Sequence, residues 1–210
     1  MADYMRPVAL FLMAAAALAQ ETAPAPALPS GLYAIFSTSI GKFTAKLYEK
    51  ETPISVANFV GLAQGTRPWR DPKTRALVKR PLYDSITFHR VLPGTMIQSG
   101  SANGTSSHDC GFTIRDEFLP GLRFDRPGKL AVANSGEPDS GGCQFFITAE
   151  PMPSWSGKYA IFGTVVDGLE VVNKIGSAPS HGDQPIDPVK LIGVTIERIG
   201  PEPPQKAKKK

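Results

Sequence analysis

The stretch that decides the fold is Ile86–Gly100, which reads ITFHRVLPGTMIQSG. Two strand-like runs are separated by Pro93-Gly94, a pair typical of turns, so the stretch is predicted to form a β-hairpin. Because successive residues of a strand point to opposite faces, Arg90, Met96 and Gln98 can meet on one face of the sheet. A cation, a soft apolar wall and an amide with donor and acceptor groups together indicate a binding site. Taken alone, the same pattern also fits a solvated charge at Arg90 and a core role for Met96.

The composition predicts one β-rich domain. With 210 residues and 41% hydrophobic content, the chain can build one substantial core, although its length alone would also allow two small domains. The 20 glycines and 20 prolines are spread along the chain. This distribution indicates many turns between short strands.

The net charge of +4 belongs to the C-terminal tail. Four of the last five residues are lysines, so the charge of the remaining chain sums to about zero. The tail, residues 201–210, is rich in Pro and Lys and is predicted to be disordered. No nucleic-acid partner is therefore expected, and the basic residues around Trp69 are predicted to lie with it in a solvated loop.

The first 30 residues are predicted to be a signal peptide and a linker. Residues 1–19 hold a weakly charged start, an unbroken apolar run and the A-x-A pattern Ala17-Leu18-Ala19. The run is too short to span a bilayer, for which about 20 apolar residues are needed. We therefore expect cleavage after Ala19 and export to the periplasm or the medium, without stable membrane insertion; an uncleaved N-terminal anchor is the alternative. Residues 20–30 then form a linker to a domain at 31–200.

Short strand-like runs recur along the domain. Runs within 33–36 and 42–48 flank a short turn, which predicts a first hairpin. A last run at 191–196 can return to pair with the first. Many short strands with only two helices indicate a mainly β fold, a closed antiparallel barrel capped by two α-helices.

Two helices are predicted from their end signals. The first begins with Thr52 as N-cap and Pro53 in the first turn, and it ends at Gly65. The second spans 168–175, where apolar residues recur on one face.

Three blocks of sequence carry a family resemblance. They are Phe88–Gly94 with Met96 and Gln98, then Ala131–Asn134 leading to Gln144–Thr148, and finally Gly157–Gly163. In this order and spacing they resemble the cyclophilins, the cyclosporin-type peptidyl-prolyl cis-trans isomerases, over nearly the whole domain. The resemblance implies a closed eight-stranded antiparallel barrel with an α-helix at each end and a proline-binding groove on its outer face.

The resemblance also implies roles for individual residues. Arg90 matches the family's catalytic arginine, and Gln98 and Asn134 match residues that hold the substrate backbone. Five further positions match the apolar walls around the prolyl ring or the groove beside it: Met96, Ala133, Phe146, Trp155 and Tyr159. Where the last of these stands, many members have histidine, and tyrosine keeps an aromatic ring with a polar tip.

The implied chemistry requires neither a cofactor nor a metal ion. An X-Pro bond has a barrier of about 18 to 20 kcal/mol because its C–N bond has partial double-bond character. When the imide twists, its nitrogen gains lone-pair density, and a guanidinium aimed there stabilises the transition state more than either planar form. The three histidines, at 89, 108 and 181, are far apart and lack companion ligands, so no zinc site is expected.

One departure from the family keeps a second function open. After Pro93-Gly94 the family usually has a phenylalanine in the floor of the prolyl pocket, whereas this chain has Thr95. A fully buried ring of this kind is worth about 1 to 3 kcal/mol. We therefore expect an isomerase of reduced or altered activity that acts on proline-containing segments and assists the folding of exported proteins. The alternative is a proline-peptide binding module or holdase chaperone with little catalysis; in either case a monomer is expected.

Cys110 and Cys143 are interpreted as a disulfide. In an exported protein two cysteines favour a bridge over free thiols, and the resemblance places both loops beside the same end of the groove. The predicted bridge braces the groove and stabilises the fold by about 3 to 4 kcal/mol on the loop-entropy model. Two buried thiols are the alternative.

Overall fold

The computed structural model describes residues 28–202. The helices in this range are α1 at Pro53–Ala63, α2 at Leu169–Gly176 and a 3₁₀ helix at Pro153–Trp155. The strands are β1 Gly31–Thr38, β2 Gly41–Leu47, β3 Trp69–Arg70, β4 Leu77–Val78, β5 Ile86–Thr87, β6 Arg90–Leu92, β7 Met96–Ser99, β8 Lys129–Val132, β9 Phe145–Thr148, β10 Ile161–Asp167, β11 Ser180–His181, β12 Gln184–Pro185 and β13 Lys190–Ile199. The predicted signal peptide 1–19, residues 20–27 of the linker and residues 203–210 of the tail lie outside the described residues and stay predictions.

Nine strands form one curled antiparallel sheet in the order β5, β13, β1, β2, β10, β8, β9, β7, β6. The predicted mainly β fold with two α-helices is confirmed, as are the first hairpin and the return of the last strand beside the first. Hydrogen bonds do not close this sheet into the predicted barrel, because its edge strands β5 and β6 do not pair with each other.

The sheet has nine strands where eight were predicted, because the run from Ile86 to Leu92 is divided. β5 pairs with β13 and β6 pairs with β7, and Phe88 and His89 separate the two short strands. The divided run thus passes from one edge of the sheet to the other. The covalent chain, rather than a hydrogen-bonded ladder, joins the two edges.

Alternation along the central strands β7, β8 and β9 separates two clusters of side chains. On one face Ile97 and Ile147 are fully buried in the main core. The other face carries a smaller cluster, which consists of Met96, Phe124, Ala131, Phe146 and Ile161. Because successive residues of a strand point to opposite faces, the sheet supports an enclosed core and a separate apolar patch on its outer face.

Helix α1 follows Thr52 as predicted, but another residue accepts hydrogen bonds from the free amides at its N-terminus. The Thr52 hydroxyl donates to the Tyr48 carbonyl at 3.3 Å and makes no capping bond. The carboxylate of Glu117 instead accepts from the amides of Ile54 and Ser55, at 3.0 and 2.8 Å, and from the Ser55 hydroxyl at 2.7 Å. A carboxylate is favourable there because a helix N-terminus carries free N–H groups and the positive end of the helix dipole.

The prediction that Trp69 lies in a solvated loop is wrong. Trp69 is 1% exposed and belongs to the main core, where its Nε1 donates to the Arg80 carbonyl at 2.9 Å. The guanidinium of Arg80 lies 4.9 Å from the centre of the indole ring. The short ladder between β3 and β4 folds this segment back on the domain, which a pattern of basic and polar residues does not indicate.

The first and last strands of the sheet begin and end side by side. Gly31 at the start of β1 pairs with Ile199 at the end of β13, and the ladder continues to Phe36 opposite Val194. The described chain therefore enters and leaves the domain at neighbouring positions.

Candidate functional site

The floor of the candidate site is the outer face of β7, β8 and β9. Met96 and Phe146 on this face are each 3% exposed, and they pack with Phe124, which is fully buried. The rings of Phe146 and Phe124 are stacked with their centres 5.9 Å apart. Buried side chains packed in this way hold their positions, so the floor is apolar and preformed.

Two further aromatic side chains form a wall beside the floor. Trp155 ends the 3₁₀ helix and meets the ring of Phe146 edge to face, with centres 5.4 Å apart and planes at 87°. Tyr159 meets the same ring at 5.1 Å and 85°. Edge-to-face contacts are a favoured geometry for aromatic pairs, so these rings fix one another.

Floor and wall border a cavity of about 230 Å³. It brings together all eight residues predicted as catalytic or substrate-binding, namely Arg90, Met96, Gln98, Ala133, Asn134, Phe146, Trp155 and Tyr159. Leu92 and Ser106 complete the lining, and sequence reasoning missed both. Leu92 could have been found from alternation alone, because it stands two residues from Arg90 and pairs with Met96 across the hairpin.

Arg90 is held at this cavity by two side chains. The predicted hairpin places it directly opposite Gln98, and its Nη1 donates to Gln98 Oε1 at 3.2 Å. Its Nε donates to Oδ2 of Asp183 at 2.6 Å. Asp183 lies 93 residues away, in the turn between β11 and β12, and no sequence spacing connects it with Arg90.

A row of amide groups continues from Gln98. Its Nε2 donates to Oε1 of Gln144 at 2.8 Å, and Nε2 of Gln144 donates to the carbonyls of Ser106 and His108 at 3.0 and 3.3 Å. This network fixes the orientation of the Gln98 amide and leaves one of its two amide hydrogens for a ligand. Gln144 belongs to one of the blocks that carry the resemblance, but no role was predicted for it.

Asn134 borders the cavity, and its main-chain groups are unpaired within the described residues. Its side chain is engaged elsewhere, since Nδ2 donates to the Lys158 carbonyl at 2.9 Å and Oδ1 accepts from the Gly136 amide at 3.2 Å. Within residues 28–202 no protein hydrogen bond engages the N–H or C=O of Asn134 itself. An extended peptide can therefore pair with these two groups as it would with the edge of a strand.

Comparison with known proteins decides the family. Residues 33–196 match the family described as cyclophilin type peptidyl-prolyl cis-trans isomerase/CLD. The chain belongs to the cyclophilin-type peptidyl-prolyl cis-trans isomerases. It is 41% identical over 166 residues to peptidyl-prolyl cis-trans isomerase A of Mycobacterium tuberculosis, covering 78% of this chain and 91% of that protein. It is 39% identical over 170 residues to peptidyl-prolyl cis-trans isomerase B of Streptomyces anulatus, covering 79% and 97%.

Solved cyclophilin structures share the fold. A cyclophilin type peptidyl-prolyl cis-trans isomerase of Cryptosporidium parvum superposes with a TM-score of 0.68 at 29% identity, covering 80% of this chain and 98% of that chain. Its structure in the presence of the dipeptide Ala-Pro gives the same TM-score and covers 99% of that chain. The curled nine-stranded sheet is thus the cyclophilin fold.

Thr95 is not among the residues that line the cyclophilin cavity. It is half-buried in the hairpin turn, where its amide donates to the Leu92 carbonyl at 2.9 Å and its carbonyl accepts from the Ala149 amide at 2.8 Å. Both bonds use the main chain, so the turn does not depend on the threonine side chain. The adjacent Met96 does line the cavity, so position 95 lies in the turn just before the floor.

The two cysteines lie beside the cyclophilin groove as buried free thiols. Both border a second cavity of about 270 Å³, which shares Gln98 and Asn134 with the first. Cys143 Sγ lies 3.7 Å from Nδ1 of His108, and interaction with the Cys143 thiol is the main cause that lowers the pKa of the Cys110 thiol. The thiols are therefore neighbours, and the predicted bridge between them stays a prediction.

His89, between β5 and β6, should make the stability of the domain depend on pH. The side chain is 6% exposed, and burial is the main cause that lowers its pKa from 6.5 to about 4. Between these values the unfolded chain binds a proton at His89 and the folded chain does not, so the free energy of unfolding falls as pH falls through this window. The expected loss is up to roughly 3 kcal/mol and is measurable by urea unfolding at a series of pH values.

Variants separate the contribution of His89 from those of the other histidines. His89→Gln should flatten the pH dependence in this window, which identifies the share that His89 contributes. Burial also lowers the pKa of His108, which adds a contribution of the same sign. A wild-type slope that persists in His89→Gln would contradict the prediction.

Within residues 28–202 no three or more His, Cys, Asp or Glu side chains are arranged to hold a metal ion. In the same range no helix combines the length and apolar character needed to cross a membrane.

Proposed function

We propose that Arg90 catalyses the isomerisation by stabilising the twisted imide of a proline held in the 230 Å³ cavity. One observation carries this proposal: a permanently charged guanidinium, fixed by Asp183 and Gln98, lies at a preformed cavity with an apolar floor and an aromatic wall. The residues suit each part of the substrate. Met96, Phe146 and Trp155 contact the prolyl ring, while Gln98 and the Asn134 main chain hold the flanking peptide groups.

The chemistry follows from the electronic structure of the imide. Twisting about the C–N bond ends its partial double-bond character and returns lone-pair density to the proline nitrogen. A cation at this nitrogen interacts more strongly with the twisted form than with either planar form, which is the condition for lowering the barrier. Arginine is suited to this role because it remains charged at every physiological pH. No nucleophile or proton transfer is involved.

Exchange NMR on a proline tetrapeptide tests the catalytic proposal. The wild type is expected to accelerate cis-trans exchange at the X-Pro bond, which unaided takes tens to hundreds of seconds. The alternative function, a proline-peptide binding module or holdase chaperone, would broaden or shift peptide signals without accelerating exchange. Thr95 favours this alternative, because it stands where the family usually has a phenylalanine. Binding without exchange would overturn the catalytic proposal.

Thr95→Phe should raise kcat/KM by about threefold to tenfold on the same peptide, because the new ring adds apolar surface beside Met96. Thr95→Ser serves as the matched control, since it keeps the hydroxyl and adds no ring. The measurement is the protease-coupled or exchange-NMR rate under identical conditions. A phenylalanine variant no faster than the wild type would mean that Thr95 does not limit activity.

The client is proposed to be a proline-containing segment of an unfolded or maturing exported protein, acted on by a monomer in the periplasm or outside the cell. The N-terminal residues 1–19 support export, and the Ala-Pro dipeptide named with the Cryptosporidium parvum structure supports a proline peptide as ligand. Intact mass and light scattering of the exported protein test location and assembly. A chain that keeps residues 1–19 would contradict the proposed cleavage.

An exported location also supports a bridge between Cys110 and Cys143, because oxidising compartments favour disulfides. The bridge should raise the free energy of unfolding by about 3 to 4 kcal/mol relative to Cys110→Ala on the loop-entropy model. An unreduced peptide map of the exported protein should contain the linked pair of peptides. Two cysteines that alkylate without a reductant would exclude the bridge.

A further inference from the structure

We propose that Asp183 is a positioning residue of this isomerase, whose carboxylate holds the Arg90 guanidinium in the orientation that serves catalysis. The inference rests on the proposed role of Arg90 and adds how the cation is oriented. Asp183 does not line the cavity, so it would act through Arg90 and not on the substrate itself.

A small hairpin brings Asp183 to the site. β11 and β12 pair His181 with Gln184, which leaves Gly182 and Asp183 as the two turn residues. Gly182 has a φ of +62°, and a glycine with positive φ at the first turn position is typical of a type II′ hairpin. The Asp183 carbonyl accepts from the amide of Val91 at 2.8 Å, so the turn is fastened to β6, the strand that carries Arg90. The position of the carboxylate therefore follows from the main chain.

The contact with Asp183 decides which part of Arg90 remains for a substrate. Nε donates to Asp183 at 2.6 Å and Nη1 donates to Gln98 at 3.2 Å. Within residues 28–202 the Nη2 group makes no hydrogen bond with the protein. With two of its three nitrogens bound, the planar group has one orientation, and Nη2 is the nitrogen left for the proline imide.

This ion pair orients the Arg90 side chain more than it stabilises the fold. The Arg90 and Asp183 side chains are 35% and 42% exposed, and exposed ion pairs contribute little to folding. A free arginine samples many rotamers, and misplacing a catalytic group by about 1 Å can cost a factor of about 100 in rate. The carboxylate also offsets part of the cation's field, so an uncharged residue that keeps the hydrogen bond should retain function.

Two substitutions test these points. Asp183→Ala is expected to lower kcat about tenfold with KM nearly unchanged, because orientation in the transition state is lost. Asp183→Asn can still accept from Arg90 Nε and should retain at least about half of the wild-type kcat. Asp187→Ala is the matched control, an exposed aspartate just beyond the same hairpin that should match the wild type. Thermal melts verify that each variant is folded.

A double-mutant cycle separates positioning from a general structural role. Asp183→Ala should have no further effect on kcat in the Arg90→Ala background, because Asp183 acts only through that side chain. The same tenfold loss in both backgrounds, or a wild-type rate for Asp183→Ala, would overturn the inference. Should the wild type fail to isomerise the peptide at all, the proposed function fails first.

One readout is independent of catalysis. The NMR signal of the Arg90 Nε–H should be slow to exchange with water in the wild type and should broaden or vanish in Asp183→Ala. An unchanged signal in that variant would show that Asp183 does not fix the Arg90 guanidinium, whatever the activity of the wild type.

Discussion

Replacing Arg90 by alanine is expected to lower kcat/KM by about 10²- to 10³-fold, the usual cost of removing one preorganised group that stabilises transition-state charge. Most of the loss should appear in kcat, because the apolar floor and wall still bind the prolyl ring. Exchange NMR measures the catalysed rate, and titration of the peptide measures its affinity. Affinity within about threefold of the wild type would assign the loss to the chemical step.

Two variants serve as controls for this loss. Arg90→Lys keeps a positive charge but cannot contact Asp183 and Gln98 with a planar fork, so its rate should fall between those of the wild type and alanine. Arg115→Ala removes an exposed arginine and should leave the rate unchanged. If Arg90→Ala kept more than about a third of the wild-type rate, catalysis would not depend on this guanidinium.

Replacing Glu117 by alanine is expected to lower the free energy of unfolding by about 2 to 4 kcal/mol, since three charge-assisted hydrogen bonds at the N-terminus of α1 are lost. Two of these three bonds are donated by the main-chain amides of Ile54 and Ser55, which have no partners within the helix. Urea unfolding at neutral pH measures the change.

A series of substitutions tests whether the Glu117 carboxylate is the cause of this loss of stability. Glu117→Gln keeps an acceptor oxygen without the charge and should lose about half as much stability as Glu117→Ala. Glu137→Ala is the matched control, because Glu137 is an exposed glutamate on another loop. A loss below about 0.5 kcal/mol in Glu117→Ala would show that water replaces the carboxylate at no cost.

Local sequence patterns were sufficient to predict much of the fold and of the site in this domain. Alternation and a Pro-Gly turn predicted the hairpin that sets Arg90 opposite Gln98, and the register of β6 and β7 agrees with it. The resemblance to the cyclophilins picked out eight of the ten residues that border one cavity, seven of them in the three quoted blocks and Trp155 just before the last block. Both signals are contained in short stretches of chain, which is why they could be found without a structure.

Contacts between distant segments were not predictable in this way. Asp183 reaches Arg90 from 93 residues away, and Glu117 reaches Ser55 from 62 residues away. Neither carboxylate has a neighbour in sequence that indicates its partner. The division of the strand at Phe88 and His89 is a similar case, because each half pairs with a different strand.

The pairing of Gly31 with Ile199 makes the domain suitable for circular permutation. A few added residues could join the present ends, and a new start could be opened in an exposed loop such as the one around Gly121. The cavity is built from side chains between positions 90 and 159, well inside the present ends of the domain. A permuted chain would thus keep its prolyl site while moving its point of attachment to another part of the surface.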